Sequence, residues 1–274
     1  MKHLQNLHTH TIFCDGKNSC REIVEQAVKL GFNSIGFSGH GYTSFDSNYC
    51  MSKENTLKYI QEVKSLKEEY KGIINVYLGV EFDLMSEGSL LPYDYVIGSV
   101  HYAKNNNGKY FSLDIKNTEL LMKTVDEEFS GNPMALAKCY YNQLASLPDV
   151  LSRVDVVGHF DLITKANDEK RIIDTTCGEY KSYVKDAIRK LVKKVGVFEI
   201  NTGAIARGIK KEPYPERWIL EEIHKEGGRI ILSSDCHLKE NLDFYFKESI
   251  QYAKDCGFTE IAYFDGKQFA SQSI

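Results

Sequence analysis

Two histidines stand two residues apart near the start of the chain, in "NLHTHTIFCDG", and an aspartate, Asp15, follows them. In an extended strand, residues i and i+2 point to the same face, so His8 and His10 would present their imidazoles side by side. Imidazole is the commonest side-chain ligand for metals in proteins. The alternative is one buried, hydrogen-bonded histidine beside one on the surface, and this short pattern alone leaves both open.

Side chains that can bind metals recur at the ends of later strand-like segments. Short apolar runs alternate with longer amphipathic segments along the chain. The residues that end these runs are, in chain order, His8 with His10, His40, Glu81, His101, His159, Asn201, and Asp235 with His237. Of the 8 histidines, only His3 and His224 stand elsewhere. Scattered core histidines would have no reason to prefer strand ends, so the pattern favours a clustered site.

The order of these elements predicts repeated βα units. Strand candidates such as "SIGFSGH", "NVYLGVEF" and "RIILSSDCH" are separated by helix-like segments. One of these is "SCREIVEQAVKLG", in which Ser19 could cap the helix and Gly31 could end it. Such an order favours a parallel sheet, either closed as a barrel or open and doubly wound. In a barrel the C-terminal ends of the strands meet on one face, where active sites are built.

The region 105–150, between the fourth and fifth strands, is long for one crossover. The segments "NTELLMKTVDEEF" and "MALAKCYYNQLASL" predict two helices joined at "SGNP". An inserted helical pair beside the site would shape substrate choice, and simple packing around the barrel is the alternative. Without a linker, repeat or low-complexity tract, we expect one domain over residues 1–274 with a helical insertion at 105–150.

Composition limits the classes of function. A chain of 274 residues that is 42% apolar can bury one large core. With 34 basic and 38 acidic residues and no Lys/Arg run, nucleic acid is a poor default partner. The 7 cysteines are scattered without a C-x-x-C pair, which suits the reducing cytoplasm. No apolar leader precedes His8 and no long apolar stretch occurs, so we expect a soluble, unprocessed protein without membrane contact.

Seven motifs occur in order between His8 and His237: "HTHTIFCDG", "GFSGHG", "GVEFD", "GSVHY", "GHFDLI", "EINTGAIARG" and "SSDCH". In this order the chain resembles the polymerase and histidinol phosphatase (PHP) family, and specifically its monofunctional histidinol phosphate phosphatases. The resemblance implies an α/β fold, a distorted (β/α)7 TIM-like barrel with a metal site at the C-terminal ends of the strands. It also implies a phosphoric monoester hydrolase that converts L-histidinol phosphate to L-histidinol and inorganic phosphate in histidine biosynthesis.

The same resemblance implies two to three divalent transition metals, zinc, manganese or iron. The first metal is expected at His8, His10, Glu81 and Asp235, the second at Glu81, His101 and His159, and the third at Asp15, His40 and His237. Many relatives have a histidine where this chain has Asp15. A carboxylate is a harder ligand than imidazole, so the third site should favour manganese or iron over zinc, or fill less completely.

The implied chemistry follows from charge. Six neutral imidazoles and three carboxylates carry about −3, and three divalent cations bring the site to about +3, which attracts a phosphate monoester dianion. Adjacent metals can generate a bridging hydroxide and stabilise the leaving oxygen, with Glu81 and Asp235 as ligands at the reacting centre. No nucleophilic side chain is needed, and the sequence contains neither a G-x-S-x-G elbow nor a P-loop.

Substrate contacts are expected from the loops. Arg207 in "NTGAIARG" is the first candidate for the phosphate, because a guanidinium can form two parallel hydrogen bonds, and an ordinary surface arginine is the alternative. Lys165 is the second candidate, and Asp161 could orient a ligand histidine. Three aromatic residues next to predicted ligands could stack on the imidazole of the substrate or could simply pack: Tyr42, Tyr102 and Phe160.

Two other functions stay open at this stage. One is a PHP phosphoesterase acting on nucleotide phosphates or nucleic-acid ends, against which stand the missing polymerase module and the missing basic track. The other is a non-catalytic metal-binding scaffold. Degenerate members should have lost ligands, whereas this chain has a candidate for each. Neither the leaving-group acid nor the oligomeric state follows from the sequence.

Overall fold

The computed structural model describes residues 2–167 and 169–274. Its strands are β1 (Gln5–Asn6), β2 (Ser34–Phe37), β3 (Asn75–Asp83), β4 (Tyr95–Ser99), β5 (Tyr102–Lys104), β6 (Tyr110–Ser112), β7 (Val156–Val157), β8 (Val197–Asn201), β9 (Arg229–Ser233), β10 (Glu260–Phe264) and β11 (Phe269–Ser273). Its α-helices are α1 (Cys20–Lys29), α2 (Lys53–Glu69), α3 (Thr118–Phe129), α4 (Pro133–Val150), α5 (Gly178–Lys194), α6 (Gly203–Ala206), α7 (Arg217–Lys225) and α8 (Phe246–Asp255).

Seven parallel strands form a barrel in the order β1, β2, β3, β4, β7, β8, β9. The ring closes just beyond the ends of its first and last strands, where Thr9 forms a parallel bridge with Cys236. There the backbone N–H of His10 donates to the carbonyl of Cys236 at 2.8 Å. The predicted (β/α)7 TIM-like barrel is therefore confirmed, and the open, doubly wound sheet is excluded. The strands β1 and β7 have only 2 residues each, which distorts the ring.

The helices surround the barrel and follow local sequence signals. Ser19 caps α1 and forms a capping box with Glu22, whose carboxylate accepts from the backbone N–H of Ser19 at 3.0 Å. After α1 the chain turns at Gly31, which has a φ of 76°, a conformation that favours glycine. In the described part of the chain, no helix is long and apolar enough to cross a membrane.

The region 105–150 contains both predicted helices, as α3 and α4. Because α4 packs against α5 and against β4, it is the crossover helix between β4 and β7. The additions to a simple βα unit are α3 and the antiparallel hairpin β5–β6. The hairpin was not predicted, because its strands have 3 residues each and little buried apolar surface. That residues 1–274 form a single domain stays a prediction.

The C-terminal hairpin β10–β11 covers the amino-terminal end of the barrel. Phe264 belongs to a buried apolar cluster that includes the first residues of β4 and β8, Tyr95 and Val197. The side chain of Gln5 fixes the hairpin, donating to the carbonyl of Phe264 at 2.9 Å and accepting from its N–H at 2.8 Å. The carboxyl-terminal rim is therefore the open end of the barrel.

Candidate metal centre

All nine side chains that the sequence assigns to metals meet at the carboxyl-terminal rim. Ligand atoms within 4.8 Å of one another form three overlapping groups, which are His10, Asp15, His40 and His237, then His8, His10 and Glu81, and finally His40, Glu81 and His101. Two further side chains join them at the edges. His159 Nε2 lies 2.9 Å from Glu81 Oε1, and Asp235 Oδ1 lies 3.2 Å from His10 Nε2.

Glu81 lies at the centre of the cluster. Its Oε2 is 3.2 Å from Nε2 of His8 and 3.0 Å from Nδ1 of His40. Its Oε1 is 2.9 Å from Nε2 of His159 and 3.3 Å from Nε2 of His101. The two oxygens of one carboxylate thus face two different sets of histidines. This arrangement suits a carboxylate shared by two cations.

Asp15 reaches the rim from the loop after β1. Its Oδ2 is 3.0 Å from Nε2 of His237, and its Oδ1 is 3.4 Å from Nδ1 of His10 and 3.8 Å from Nε2 of His40. The rings of His10 and His237 stack with centroids 4.1 Å apart. The sequence placed Asp15 with His40 and His237, and the structure adds His10 to that group.

Several nitrogen and oxygen atoms of the cluster are buried and have no hydrogen-bond partner among residues 2–167 and 169–274. They include Nε2 of His8, Nε2 of His10 and Oδ1 of Asp15. The Nε2 atoms of His101 and His159 are 3.1 Å apart, an approach that two lone pairs would resist without a shared cation or proton. Buried polar atoms in proteins ordinarily have partners, and imidazole and carboxylate are ligands of zinc, manganese and iron. The residues therefore fit a centre of divalent transition metals.

The charges of the cluster keep its carboxyl groups ionised. Burial raises the pKa of Glu81, but the neighbouring histidines, first His8, lower it more, and the net pKa is well below the usual value. Burial also raises the pKa of Asp235, and Arg207 is the first of several groups that lower it well below the usual value. Both side chains are thus anionic at physiological pH, as metal ligands must be.

Arg207 borders the cluster at the end of α6. Its Nη2 donates to Oδ2 of Asp235 at 3.1 Å, and its Nη1 lies 3.2 Å from Nδ1 of His237. One third of its side chain, 33%, is exposed. The guanidinium therefore lies against two predicted metal ligands while part of it stays open to a ligand from solvent.

Lys165 lies in an ion pair. Its Nζ is 2.6 Å from Oδ1 of Asp114, a residue of the loop between β6 and α3 that the sequence analysis did not single out. Burial raises the pKa of Asp114, and Lys165 followed by His101 lowers it more, so that the net pKa is below the usual value. A phosphate at Lys165 would share the ammonium with this carboxylate.

The three aromatic candidates have different surroundings. The hydroxyl of Tyr102 donates to Asp46 at 2.8 Å, and its ring centroid is 6.2 Å from that of His101. Tyr42 is partly exposed and lies under the ammonium of Lys53. Phe160 is fully buried and packs against other rings of the core, so it offers a ligand no open face.

Two buried carboxylates that the sequence analysis did not assign hold ligand histidines from behind. Oε2 of Glu199 is 2.9 Å from Nδ1 of His8, and Oδ2 of Asp83 is 3.3 Å from Nδ1 of His101. Asp161, expected in this role, instead accepts from the backbone N–H of Glu216 at 3.0 Å. Residues two positions apart in a strand point to the same face, and this rule could have found both carboxylates. Asp83 stands two positions after Glu81, and Glu199 stands two positions before Asn201, each in the same strand.

The fold and the site together define a class of protein, a parallel α/β barrel with a metal-binding cluster at the carboxyl-terminal ends of its strands. The family model described as the PHP domain matches residues 6–203. That range holds seven of the nine predicted ligands and leaves out only Asp235 and His237. The chain belongs to the PHP family, as its motifs indicated.

Individual relatives are similar at low identity over nearly their whole length. A histidinol-phosphatase of Bacillus subtilis is 25% identical over 271 residues, which cover 89% of this chain and 97% of that protein. A histidinol-phosphatase of Lactococcus lactis is 24% identical and covers 94% and 93%. The crystal structure of histidinol phosphate phosphatase from Lactococcus lactis, complexed with zinc, L-histidinol and phosphate, has a TM-score of 0.70 at 20% identity, covering 97% and 98%.

Proposed function

We propose that this chain is a histidinol phosphatase, a metal-dependent phosphoric monoester hydrolase that converts L-histidinol phosphate to L-histidinol and inorganic phosphate. The observation that carries the proposal is the cluster of nine histidine, aspartate and glutamate side chains with Glu81 at its centre and Arg207 at its edge. Full-length relatives named for this activity support the choice of substrate. All 7 cysteines are free, which agrees with action in the cytoplasm.

The residues of the chain divide the work of such a reaction. Two to three divalent cations would supply Lewis acidity and an activated water for in-line attack on phosphorus. Glu81, with its oxygens facing two sets of histidines, would hold two cations side by side, and Asp235 would complete one of these sites. Arg207 would grip a phosphoryl oxygen with its fork of N–H groups as negative charge develops there.

A phosphate-release assay on the metal-reconstituted protein tests the substrate. We expect the highest kcat/KM for L-histidinol phosphate among phosphate esters that include the 5′-mononucleotides and short DNA. The chelator-treated protein, which should be inactive, is the control. A nucleotide with a kcat/KM ten or more times higher would refute the assignment.

The second candidate is a phosphoesterase acting on nucleotides or nucleic-acid ends. It is favoured by one relative, the DNA polymerase/3′-5′ exonuclease PolX of Bacillus subtilis, which is 27% identical over 128 residues, 44% of this chain and 22% of that protein. The net charge of −4 speaks against a track for nucleic acid. A scaffold without turnover is tested by elemental analysis together with the phosphate-release assay: an enzyme should hold about two to three metals per chain and release phosphate, and a metal-binding scaffold would release none.

A further inference from the structure

Glu199 lies buried behind the metal centre, and four polar atoms lie within hydrogen-bond distance of its carboxylate oxygens. Oε2 lies 2.6 Å from Oγ of Ser233 and 2.9 Å from Nδ1 of His8. Oε1 lies 2.8 Å from Nδ2 of Asn201 and 2.5 Å from the backbone nitrogen of His159. Four hydrogen bonds match the capacity of an ionised carboxylate, so the side chain is saturated on all sides.

The neighbouring bonds determine which atoms donate. A backbone N–H can only donate, so His159 donates to Glu199. The Oδ1 of Asn201 already accepts from the N–H of Gly203 at 2.9 Å, which turns Nδ2 of the amide towards Glu199. An ionised Glu199 satisfies all four partners at once only if Nδ1 of His8 carries a proton. In a neutral imidazole, Nε2 of His8 then has the free lone pair.

That lone pair points into the cluster. Nε2 of His8 has no hydrogen-bond partner in the described part of the chain and lies 3.2 Å from Oε2 of Glu81. A histidine held at Nδ1 by a carboxylate and free at Nε2 is prepared to bind a metal. The same carboxylate also holds the backbone of His159, a ligand on the other side of Glu81.

We infer that Glu199 is a positioning residue of the metal centre, which fixes the tautomer and the orientation of His8 and anchors His159. This inference rests on the proposed metal centre but not on its substrate. Fixing His8 in this way should raise the affinity for metal, because an imidazole that could rotate or carry its proton on Nε2 would have to reorganise before a metal binds. The added negative charge also lowers the repulsion among cations at the rim.

Asp83 provides an internal comparison. Its Oδ2 lies 3.3 Å from Nδ1 of His101 and 2.5 Å from the backbone N–H of the same residue. Glu199 and Asp83 thus approach the cluster from β8 and β3 and hold different histidines. Substitution of Glu199 should therefore weaken binding of the metal at His8, and substitution of Asp83 should weaken binding of the metal at His101.

The test is metal affinity, measured by chelator competition with zinc and with manganese. Glu199→Gln should lower the affinity of at least one metal by roughly 10- to 100-fold, the range found when a residue that orients a ligand is lost. Glu199→Asp, which keeps the charge, should recover part of this loss. Ser233→Ala is the matched control, because it removes a donor to Glu199 but leaves the contact with His8, and its effect on affinity should stay below the lower end of that range, about tenfold.

A second measurement covers the case in which Glu199→Gln does not fold. Nitrogen-15 NMR of histidine in the zinc-loaded wild-type protein should find the proton of His8 on Nδ1. A proton on Nε2, or unchanged affinity in a folded Glu199→Gln protein, would overturn the inference. Failure of the proposed function is a separate result: the wild-type protein would bind metal, lose it on substitution of Glu199, and release no phosphate from L-histidinol phosphate.

Discussion

His101 and His159 face the same oxygen of Glu81, and each should be indispensable to the metal on that side. His101→Ala and His159→Ala are expected to lose about one metal per chain and to abolish phosphate release, because the remaining ligands are too few for a stable site. The proteins should stay folded, since side chains at strand ends contribute little to the packed core. Elemental analysis, phosphate release and thermal unfolding measure the three effects.

His224→Ala is the control for both variants. This histidine is exposed on α7, away from the rim, and its substitution should leave metal content and activity unchanged. Wild-type activity in His101→Ala or in His159→Ala would contradict the assignment of these ligands.

Arg207 separates binding of phosphate from binding of metal. Arg207→Ala should lower kcat/KM by an amount that corresponds to about 2 to 4 kcal/mol of transition-state stabilisation, and inorganic phosphate should inhibit the variant less strongly. Arg207→Lys keeps the charge but loses the planar fork, so it should recover only part of the loss. Metal content should not change. An Arg207→Ala protein with unchanged kcat/KM and phosphate inhibition would move the phosphate site towards Lys165.

Asp15 should tune the choice of metal. Asp15→His replaces a hard carboxylate with an imidazole in the group formed with His10, His40 and His237. We expect the variant to stay active and to bind more zinc relative to manganese than the wild type does. Elemental analysis after growth in medium with equal amounts of both metals measures this ratio. If the wild type and Asp15→His contained zinc and manganese in the same ratio, Asp15 would have no role in the choice of metal.

At the residue scale, the rule that strand ends converge pointed to eight of the nine rim side chains, because six of the 8 histidines stand at such ends, whereas Asp15 came only from the resemblance to the family. It could not separate Arg207, which borders the cluster, from Phe160, which is enclosed by other rings. Phe160 directly follows the predicted ligand His159, and Arg207 lies in the loop after the strand end at Asn201. The sequence does not show how these loops pack, and their packing decides whether each side chain is exposed. Glu199 was missed because a carboxylate inside an apolar strand resembles an ordinary buried polar residue.

At the element scale, alternation of apolar strands and amphipathic helices predicted every strand of the barrel. The two hairpins escaped prediction for a physical reason. The strands of β5–β6 are too short to have a pattern. The strand β11 is mostly polar and at least partly exposed along its length, and the hairpin β10–β11 is held by distant residues such as Gln5.

The interior of the barrel should not tolerate a side chain at Gly79. A Cβ atom there would lie 2.2 Å from Cζ of Tyr95, whose hydroxyl donates to the carbonyls of Leu7 and Phe37, so the ring is held in place. Gly79→Ala is expected to lower the free energy of unfolding by about 1 to 3 kcal/mol, measured by urea denaturation.

Gly178→Ala is the matched substitution. Gly178 begins α5, and a Cβ atom there would meet nothing within 4 Å, so stability should stay the same or rise slightly. Equal unfolding free energies for the two variants would mean that Tyr95 is free to move.

At the scale of the whole molecule, the barrel has one covered end and one charged end, and the charged end should make stability depend on pH. Burial lowers the pKa of His40, but Glu81 raises it more, to about 9 from the usual 6.5. The pKa of His8 and that of His159 are likewise lowered by burial and raised more by neighbouring carboxylates. His10 opposes them, since burial and then His237 lower its pKa.

A rise in pH should lower the stability of the metal-free protein and increase the stabilisation that metal provides. A histidine whose pKa is raised in the folded state stabilises the protein fully below about pH 6.5, and this stability is lost as the pH rises towards 9. Metals require neutral imidazoles, so their stabilising effect grows over the same range. We therefore expect the Tm of the chelator-treated protein to fall between pH 6.5 and 9, and the increase in Tm on adding manganese to become larger. Calorimetry at several pH values measures both trends. If the Tm of the chelator-treated protein and that of the manganese-loaded protein changed with pH in parallel, the rim histidines would not take up protons on folding.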